Sequence, residues 1–205
     1  MRNTLFVILY ALCEPIKMSP PLRSLGPGPN PPKIIDVLIE IPMNSKIKYE
    51  VDFDSGILRV NRVLSVAIAY PCNYGFIPGT LEEGSKDPID AYVVCDTLLP
   101  LSIVSCSPIG VILTEDQDGK DAKIIAVPQT AVSQEFGKIN DIVDLNTFFR
   151  VKLEHFIKHH KDMEPGKFVR IVKWEGKIVA EQIISQAIER NQRGKDIDIK
   201  RPNSS

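Results

Sequence analysis

The chain has almost no net charge, no paired cysteines and only a short apolar run at its N-terminus. Each shortage removes a class of function. Its 25 lysines and arginines are offset by 26 aspartates and glutamates, a net charge of −1, which argues against a broad nucleic-acid footprint. The four cysteines, Cys13, Cys72, Cys95 and Cys106, show no Cys-x-x-Cys spacing. That excludes a disulfide framework and a cysteine zinc site, and a reducing compartment, the cytoplasm, fits. They read as small buried hydrophobes. The apolar stretch Thr4 to Cys13 spans ten residues, too few to cross a bilayer. One arginine, Arg2, precedes it and Cys13-Glu14-Pro15 is a poor cleavage site, so a secretory or membrane signal is the minority reading. There is no internal repeat.

What is present is ordinary for one globular domain. Hydrophobic residues make up 43% and charged residues 25% of 205 residues, enough to bury a real core. Residues 1–33 stand apart: the apolar run, then a Pro/Gly-rich stretch from Ser19 to Pro32 that is expected to stay disordered. They are either a disordered tail or an upstream extension ahead of a start at Met18. From Ile34 the pattern is β. Val37, Ile39 and Ile41 alternate loosely. Ile47, Tyr49, Val51 and Phe53 alternate cleanly, which puts Lys48, Glu50 and Asp52 on the opposite face. Asp54-Ser55-Gly56 is a hairpin signal, and Leu58 to Leu64 returns carrying Arg62. Further strands are expected at Ala91–Val94, Ile103–Leu113 and Ala122–Val127. The last third turns helical, at Leu145–His160 with Asp144 as N-cap, then, after a strand from Lys167 to Trp174, at Ile178–Ile188. Residues 193–205 read as a polar tail. Many short strands with two late helices predict an α+β fold, a small closed β-barrel flanked by two C-terminal helices.

The chemistry centres on Tyr70-Pro-Cys-Asn-Tyr-Gly-Phe-Ile-Pro78 and Asp87-Pro-Ile-Asp90. Asp87-Pro88 favours a turn, so Asp87 and Asp90 sit at a loop-to-strand junction where two carboxylates face one point. Hard cations such as Mg²⁺ take such oxygens. Taken alone, Asp-Pro-x-Asp is more often an acidic surface turn. The same holds for Asp116 and Asp121 around Gly119, which alone read as a solvated hairpin. That turn lacks the glutamate of an EF-hand. Glu40, Lys48, Glu50 and Arg62 alone read as cross-strand ion pairs. His155, His159 and His160 raise a zinc hypothesis, since i,i+4 imidazoles share a helix face, but no clear third ligand accompanies them.

Together these motifs resemble the core of the soluble family I inorganic pyrophosphatases, from about Ile35 to about Asn191. The resemblance implies a domain over residues 34–192, a five-stranded OB-like barrel, and hydrolysis of diphosphate by a metal-activated water with several Mg²⁺ ions. It places metal ligands at Asp87, Asp90, Asp116, Asp121 and Glu50. Asp90 and Tyr74 are the catalytic pair. Lys48, Arg62, Tyr70, Lys123, His160 and Lys161 hold substrate, with Glu40 and Asn73 in support. A homo-oligomer, a hexamer in bacterial relatives, is implied too, with no nucleic-acid or membrane partner. An OB-type binder of single strands is the rival from another class, but it would want exposed aromatics on a basic groove.

Departures from the pattern also matter. Ser85 stands where the family has a metal-ligand Asp, Lys86 adds a positive charge beside it, and the loop is one residue longer, with Glu82 or Glu83 as substitutes. Glu83 is the first suspect. A catalytically weakened paralogue that binds diphosphate or phosphate is therefore the alternative function. His160 replaces a tyrosine, and near a bound anion it is expected to be cationic at mildly acid pH, tightening substrate affinity toward pH 6.

Overall fold

Alternating β-branched residues, cut by turns at Pro42–Lys46 and Asp52–Gly56, dictate the first half of the chain. In the computed structural model, which describes residues 22–53 and 55–200, they form β1 (Ile35–Ile41), β2 (Ile47–Val51) and β3 (Leu58–Val63). Four more strands follow: β4 (Asn73–Phe76), β5 (Asp90–Val93), β6 (Ile103–Asp116) and β7 (Gly119–Pro128). The chain then runs through α1 (Thr147–His159), β8 (Val169–Gly176) and α2 (Lys177–Lys200).

The sheet order is β1-β4-β5-β7-β6-β8, with an added β1–β6 pairing. That pairing closes β1, β4, β5, β7 and β6 into a five-stranded ring, and β8 lies on the far edge of β6. The expected closed barrel with two late helices is what forms. The long β6 makes closure feasible: Ile103–Cys106 pairs with β1, while Cys106–Asp116 pairs with β7. Pro108, which has no N–H to donate, marks a shift in the β6–β7 register before Gly110. β2 and β3 form a separate two-stranded hairpin.

Period two sends the barrel's apolar residues to two sides. Ile124 and Ala126 of β7 join Ile35, Val37 and Ile39 against Ala180, Ile184 and Ala187 of α2. Ile125 and Val127 join Tyr70, Tyr74 and Tyr92 against Leu153, Phe156 and Ile157 of α1. Each fully buried Leu, Ile or Phe contributes about 1.5–3 kcal/mol, so both helices are fixed to the ring by apolar burial. β1 reads as only loosely amphipathic because it is buried on both faces. Its Leu38 packs in a third cluster with Val51 and Phe76, next to Leu22 and Leu25.

Three expectations need correction. Residues 22–33, expected to be disordered, lie along the barrel. The Asp36 N–H donates to the Pro27 carbonyl at 3.0 Å, and Leu22 and Leu25 pack on Leu38. Two leucines in an otherwise Pro/Gly-rich stretch supply the apolar anchors. The N-cap of α1 is Asn146, whose side chain accepts from the N–H groups of Phe148 and Phe149. Asp144 instead closes a capping box with Asp141 one turn earlier. α2 continues past Ile188 to Lys200, into the segment read as tail. The readings for residues 1–21 and 201–205, including the apolar run and Cys13, lie outside the described residues. Among the described residues no helix is long and apolar enough to cross a membrane.

Candidate active site

Where the ring meets α1 and the β2–β3 hairpin, the polar faces of these elements surround one cavity of about 540 Å³. Each wall follows from local pattern. On β2, Lys48 and Glu50 are two residues apart and share a face, and Lys48 pairs in register with Arg62 on β3. Lys48 Nζ lies 2.7 Å from Glu50 Oε1, and Asn61 Nδ2 donates to Glu50 Oε2 at 2.8 Å. Asp52, the third of this alternation, turns away and accepts from Arg59 Nε at 3.0 Å. Arg62 Nη1 donates to Asn61 Oδ1 at 3.1 Å. Its Nε sits 2.9 Å from Glu164 Oε1 but off the hydrogen-bond line, which leaves that buried N–H without an acceptor. Glu40 reaches the cavity from β1 and accepts from the Val51 N–H at 2.7 Å. Burial pushes its carboxyl up to about 7, against the opposing pull of that N–H.

The floor is built by β4, β5 and β7. Register places Tyr74 on β4 opposite Tyr92 on β5, and the parallel β5–β7 pairing brings Asp90 to the end of the strand beside Lys123. The Tyr74 hydroxyl donates to Asp90 Oδ2. Lys123 Nζ donates to the same oxygen at 2.7 Å, stands 3.3 Å from the Tyr74 hydroxyl, and lies 2.6 Å from Asp121 Oδ2. Burial opposes the charge on Lys123, but the Asp90 and Asp121 carboxylates more than offset this and hold it protonated well above the usual lysine range. Burial likewise pushes the Tyr74 phenol up, with Asp90 adding to the effect. For Asp121 burial is opposed first by the Lys123 charge, and its carboxyl ends below the usual range.

Asp116 and Asp121 flank the β6–β7 turn, and Asp116 Oδ2 lies 2.7 Å from Lys161 Nζ just beyond α1. Burial acts upward on Asp116, but the Lys161 hydrogen bond, the Asp118 N–H and the Lys161 charge together outweigh it and leave its carboxyl below the usual range. The cavity therefore gathers Glu40, Lys48, Glu50, Arg62, Tyr70, Tyr74, Asp87, Asp90, Asp116, Asp121, Lys123, His160 and Lys161. Of the expected site residues, Asn73, Ser85 and Glu83 do not line it. Asn73 is fully buried and works on the backbone, accepting from the Met43 and Leu98 N–H groups and donating to the Asp96 carbonyl.

Ser85, which stands where the family has a metal-ligand Asp, does not line the cavity. Its hydroxyl accepts from the Asp87 N–H at 3.0 Å and donates to Asp87 Oδ2 at 3.3 Å. Lys86 and Glu83 are exposed, and besides Asp87 the carboxylate of this loop that lines the cavity is Glu82. His160 is also corrected. It stacks on Phe156, its Nδ1 lies 3.0 Å from the Ile157 carbonyl, and burial lowers its pKa to about 4, helped by the Lys161 and Arg62 charges. With no anion beside it the ring is therefore held neutral at pH 6. His155 and His159 stand outside the cavity, with His159 Nδ1 on Asp162 Oδ2 at 2.7 Å. Sequence reasoning missed Lys167, which lines the cavity, and Glu164, which holds both Arg62 and Lys167. Both follow α1 in a Glu-Pro-Gly-Lys turn that carries no periodic signal.

The model of the inorganic pyrophosphatase family matches residues 37–192. The chain belongs to this family. An inorganic pyrophosphatase of Saccharolobus solfataricus is 46% identical over 171 residues, covering 83% of this chain and 99% of the other. The crystal structure of the Thermus thermophilus inorganic pyrophosphatase superposes with a TM-score of 0.80 at 36% identity, covering 84% and 99% of the two chains. The Helicobacter pylori inorganic pyrophosphatase gives 0.76 at 40% identity, covering 78% and 94%. The ring of strands with its two helices is thus the family's OB-like α+β fold.

Members of this family are metal-dependent, and the donor chemistry here suits a hard cation. Glu50, Asp87, Asp90, Asp116 and Asp121 offer only oxygens to one cavity, as Mg²⁺ requires. Asp121 Oδ1 is buried with no hydrogen-bond donor, an acceptor left for a cation. Among the described residues no three acidic, imidazole or thiol groups meet at one coordination point. The lysines Lys123 and Lys161 hold the carboxylates instead.

Proposed function

We infer that this pyrophosphatase-family chain hydrolyses inorganic diphosphate to two phosphates with Mg²⁺. The observation that carries the reading is the meeting of Asp90, Asp116 and Asp121 with Lys48, Arg62 and Lys161 around one cavity. Mg²⁺ held by Asp87, Asp90, Asp116, Asp121 and Glu50 would supply charge neutralisation and a water of lowered pKa. The chain's own groups do the rest. Arg62 grips phosphate oxygens with a planar fork, and Lys48 and Lys161 act as point charges. Tyr70 is a neutral donor to the anion. Asp90 accepts the proton of the attacking water. The Tyr74 hydroxyl and Lys123 both contact Asp90 Oδ2, which fixes where that proton goes. The water oxygen bonds to one phosphorus, the bridging P–O bond breaks, and the second phosphate leaves with the bridging oxygen. Glu40 supports the wall between β1 and β2.

Three free buried cysteines, Cys72, Cys95 and Cys106, support a reducing compartment such as the cytoplasm. The exposed Val143, Phe148 and Val151 support self-association into a homo-oligomer.

Phosphate release from diphosphate, titrated with Mg²⁺, tests the reading. Mg²⁺-dependent turnover is the expected result. Tight diphosphate binding without release would instead establish the weakened paralogue, the reading that Ser85 favours. Neither binding nor release would exclude both.

A further inference from the structure

Glu82 joins Asp87 as an acid of the 82–87 loop that lines the cavity, and the residues before it fix its position. The Thr80 hydroxyl donates to the Ile77 carbonyl at 2.6 Å and accepts from the Ile89 N–H at 3.0 Å, tying the two ends of the loop together. Leu81 is held to α2: its N–H donates to the Ala187 carbonyl at 3.1 Å, and its carbonyl accepts from Arg190 Nε at 3.0 Å. Glu82 follows directly. Its Oε1 accepts from the N–H of Ala122, the residue after Asp121, at 3.0 Å, and both acids line the cavity. Lys123 takes Asp121 Oδ2 at 2.6 Å, while the buried Asp121 Oδ1 meets no donor. Two neighbouring acids in one cavity, one of them with an oxygen that meets no donor, suit a hard cation.

We propose that Glu82 is a further ligand of the divalent cations in this cavity, acting beside Asp121 and supplying the carboxylate that Ser85 does not. The proposal rests on the metal-dependent reading above. Ser85 is engaged with Asp87, and Glu83 points to solvent, so neither competes for the role. A carboxylate already anchored by the Ala122 N–H enters a coordination shell with little reorganisation, and a hard cation favours its charge over a hydroxyl.

Anomalous diffraction from wild-type crystals soaked in Mn²⁺ tests this directly. A peak is expected at inner-sphere distance, about 2–2.6 Å, from a carboxylate oxygen of Glu82 and one of Asp121. In solution, Glu82→Gln keeps an oxygen for the Ala122 N–H. It is expected to lose one bound Mn²⁺ by EPR titration, or to weaken it on the order of 10-fold or more. Glu83→Gln should bind Mn²⁺ as the wild type does. Mn²⁺ peaks in the cavity with none touching Glu82 overturn the proposal and leave the metal-dependent reading standing. An empty cavity at saturating Mn²⁺ overturns both. If Glu82→Gln does not fold, the wild-type anomalous map decides alone.

Discussion

Two acidic turns feed the same cavity and hold their carboxylates in different ways. The β6–β7 turn is the tip of a long ladder, paired from Cys106↔Pro128 to Asp116↔Gly119. Gly119 closes it at φ +130°, a region that disfavours side chains, and Asp116 Oδ1 accepts from the Asp118 N–H at 2.8 Å. The 82–87 loop has no ladder. It closes on itself through Glu82 N–H to the Asp87 carbonyl at 2.9 Å, with Gly84 at φ +77°. On the ladder, strand register decides which acid faces inward. On the loop, turn closure decides, and one extra residue is enough to replace one acid with another.

If register makes the ladder acids the fixed part of the site, removing one should cost most. Asp121→Asn is expected to lower turnover by about 10²–10³-fold, the usual loss of a key electrostatic stabiliser, with the fold retained. Unaltered turnover would end the claim that the ladder carries the chemistry.

Glu40 sharpens the contrast, since it too is set by a ring strand. Its carboxyl titrates near 7 in the fold against 4.5 as the ordinary value. Between these values the native state binds more protons than the unfolded one, so stability falls as pH rises. The contribution is complete below about 4.5 and is lost as pH climbs through about 7. Glu82, pushed up to about 8 by burial and then by Asp121, adds to the same trend. Glu40→Gln keeps the Val51 acceptor but has no proton to lose. In metal-free protein near pH 9 it is expected to be more stable than wild type by on the order of 3 kcal/mol. Denaturant melts at pH 5 and pH 9 check this, and parallel pH profiles for the two proteins would refute it.

What was legible in the sequence follows the same division. Period-two alternation put Lys48, Glu50 and Asp52 on one face, of which Asp52 turns away to Arg59, and the short apolar runs gave the strands. The position of the β6–β7 acids followed from the turn between two long strands. The choice of Glu82 over Glu83 was not legible, because it depends on Leu81 being held to α2 and Glu82 reaching Ala122, both long-range contacts. His160 was misjudged for a related reason. Its spacing marks it as the end of a helix, but only packing on Phe156 shows it to be desolvated.

The β2–β3 hairpin lies between the two extremes, since it is paired but detached from the ring. Arg62 spans Asn61 and Glu164 with different nitrogens, a grip that a single ammonium cannot repeat. Arg62→Lys is expected to raise KM for diphosphate about tenfold, the scale of one charged hydrogen bond, while kcat changes less. A loss in kcat as deep as that of Asp121→Asn, with KM unmoved, would place the hairpin with the floor.

The loop should tolerate most. Ser85→Asp with Lys86→Gly restores the family pattern in sequence, but the new carboxylate would begin where the Ser85 hydroxyl now faces Asp87, outside the cavity. Lys86 is exposed and removes no charge from the site when replaced. With Glu82 already inside, the double substitution is expected to shift the Mg²⁺ concentration for half-maximal rate by no more than about twofold, the scale of a surface change. A large fall in that concentration would mean that the loop reorganises to use residue 85 and that Glu82 does not fill the gap. Repeating the measurement in Glu82→Gln separates the two explanations. If Asp at position 85 rescues the weakened Mg²⁺ response there while doing nothing in wild type, the two residues are alternatives for one coordination role, and turn closure alone has chosen between them.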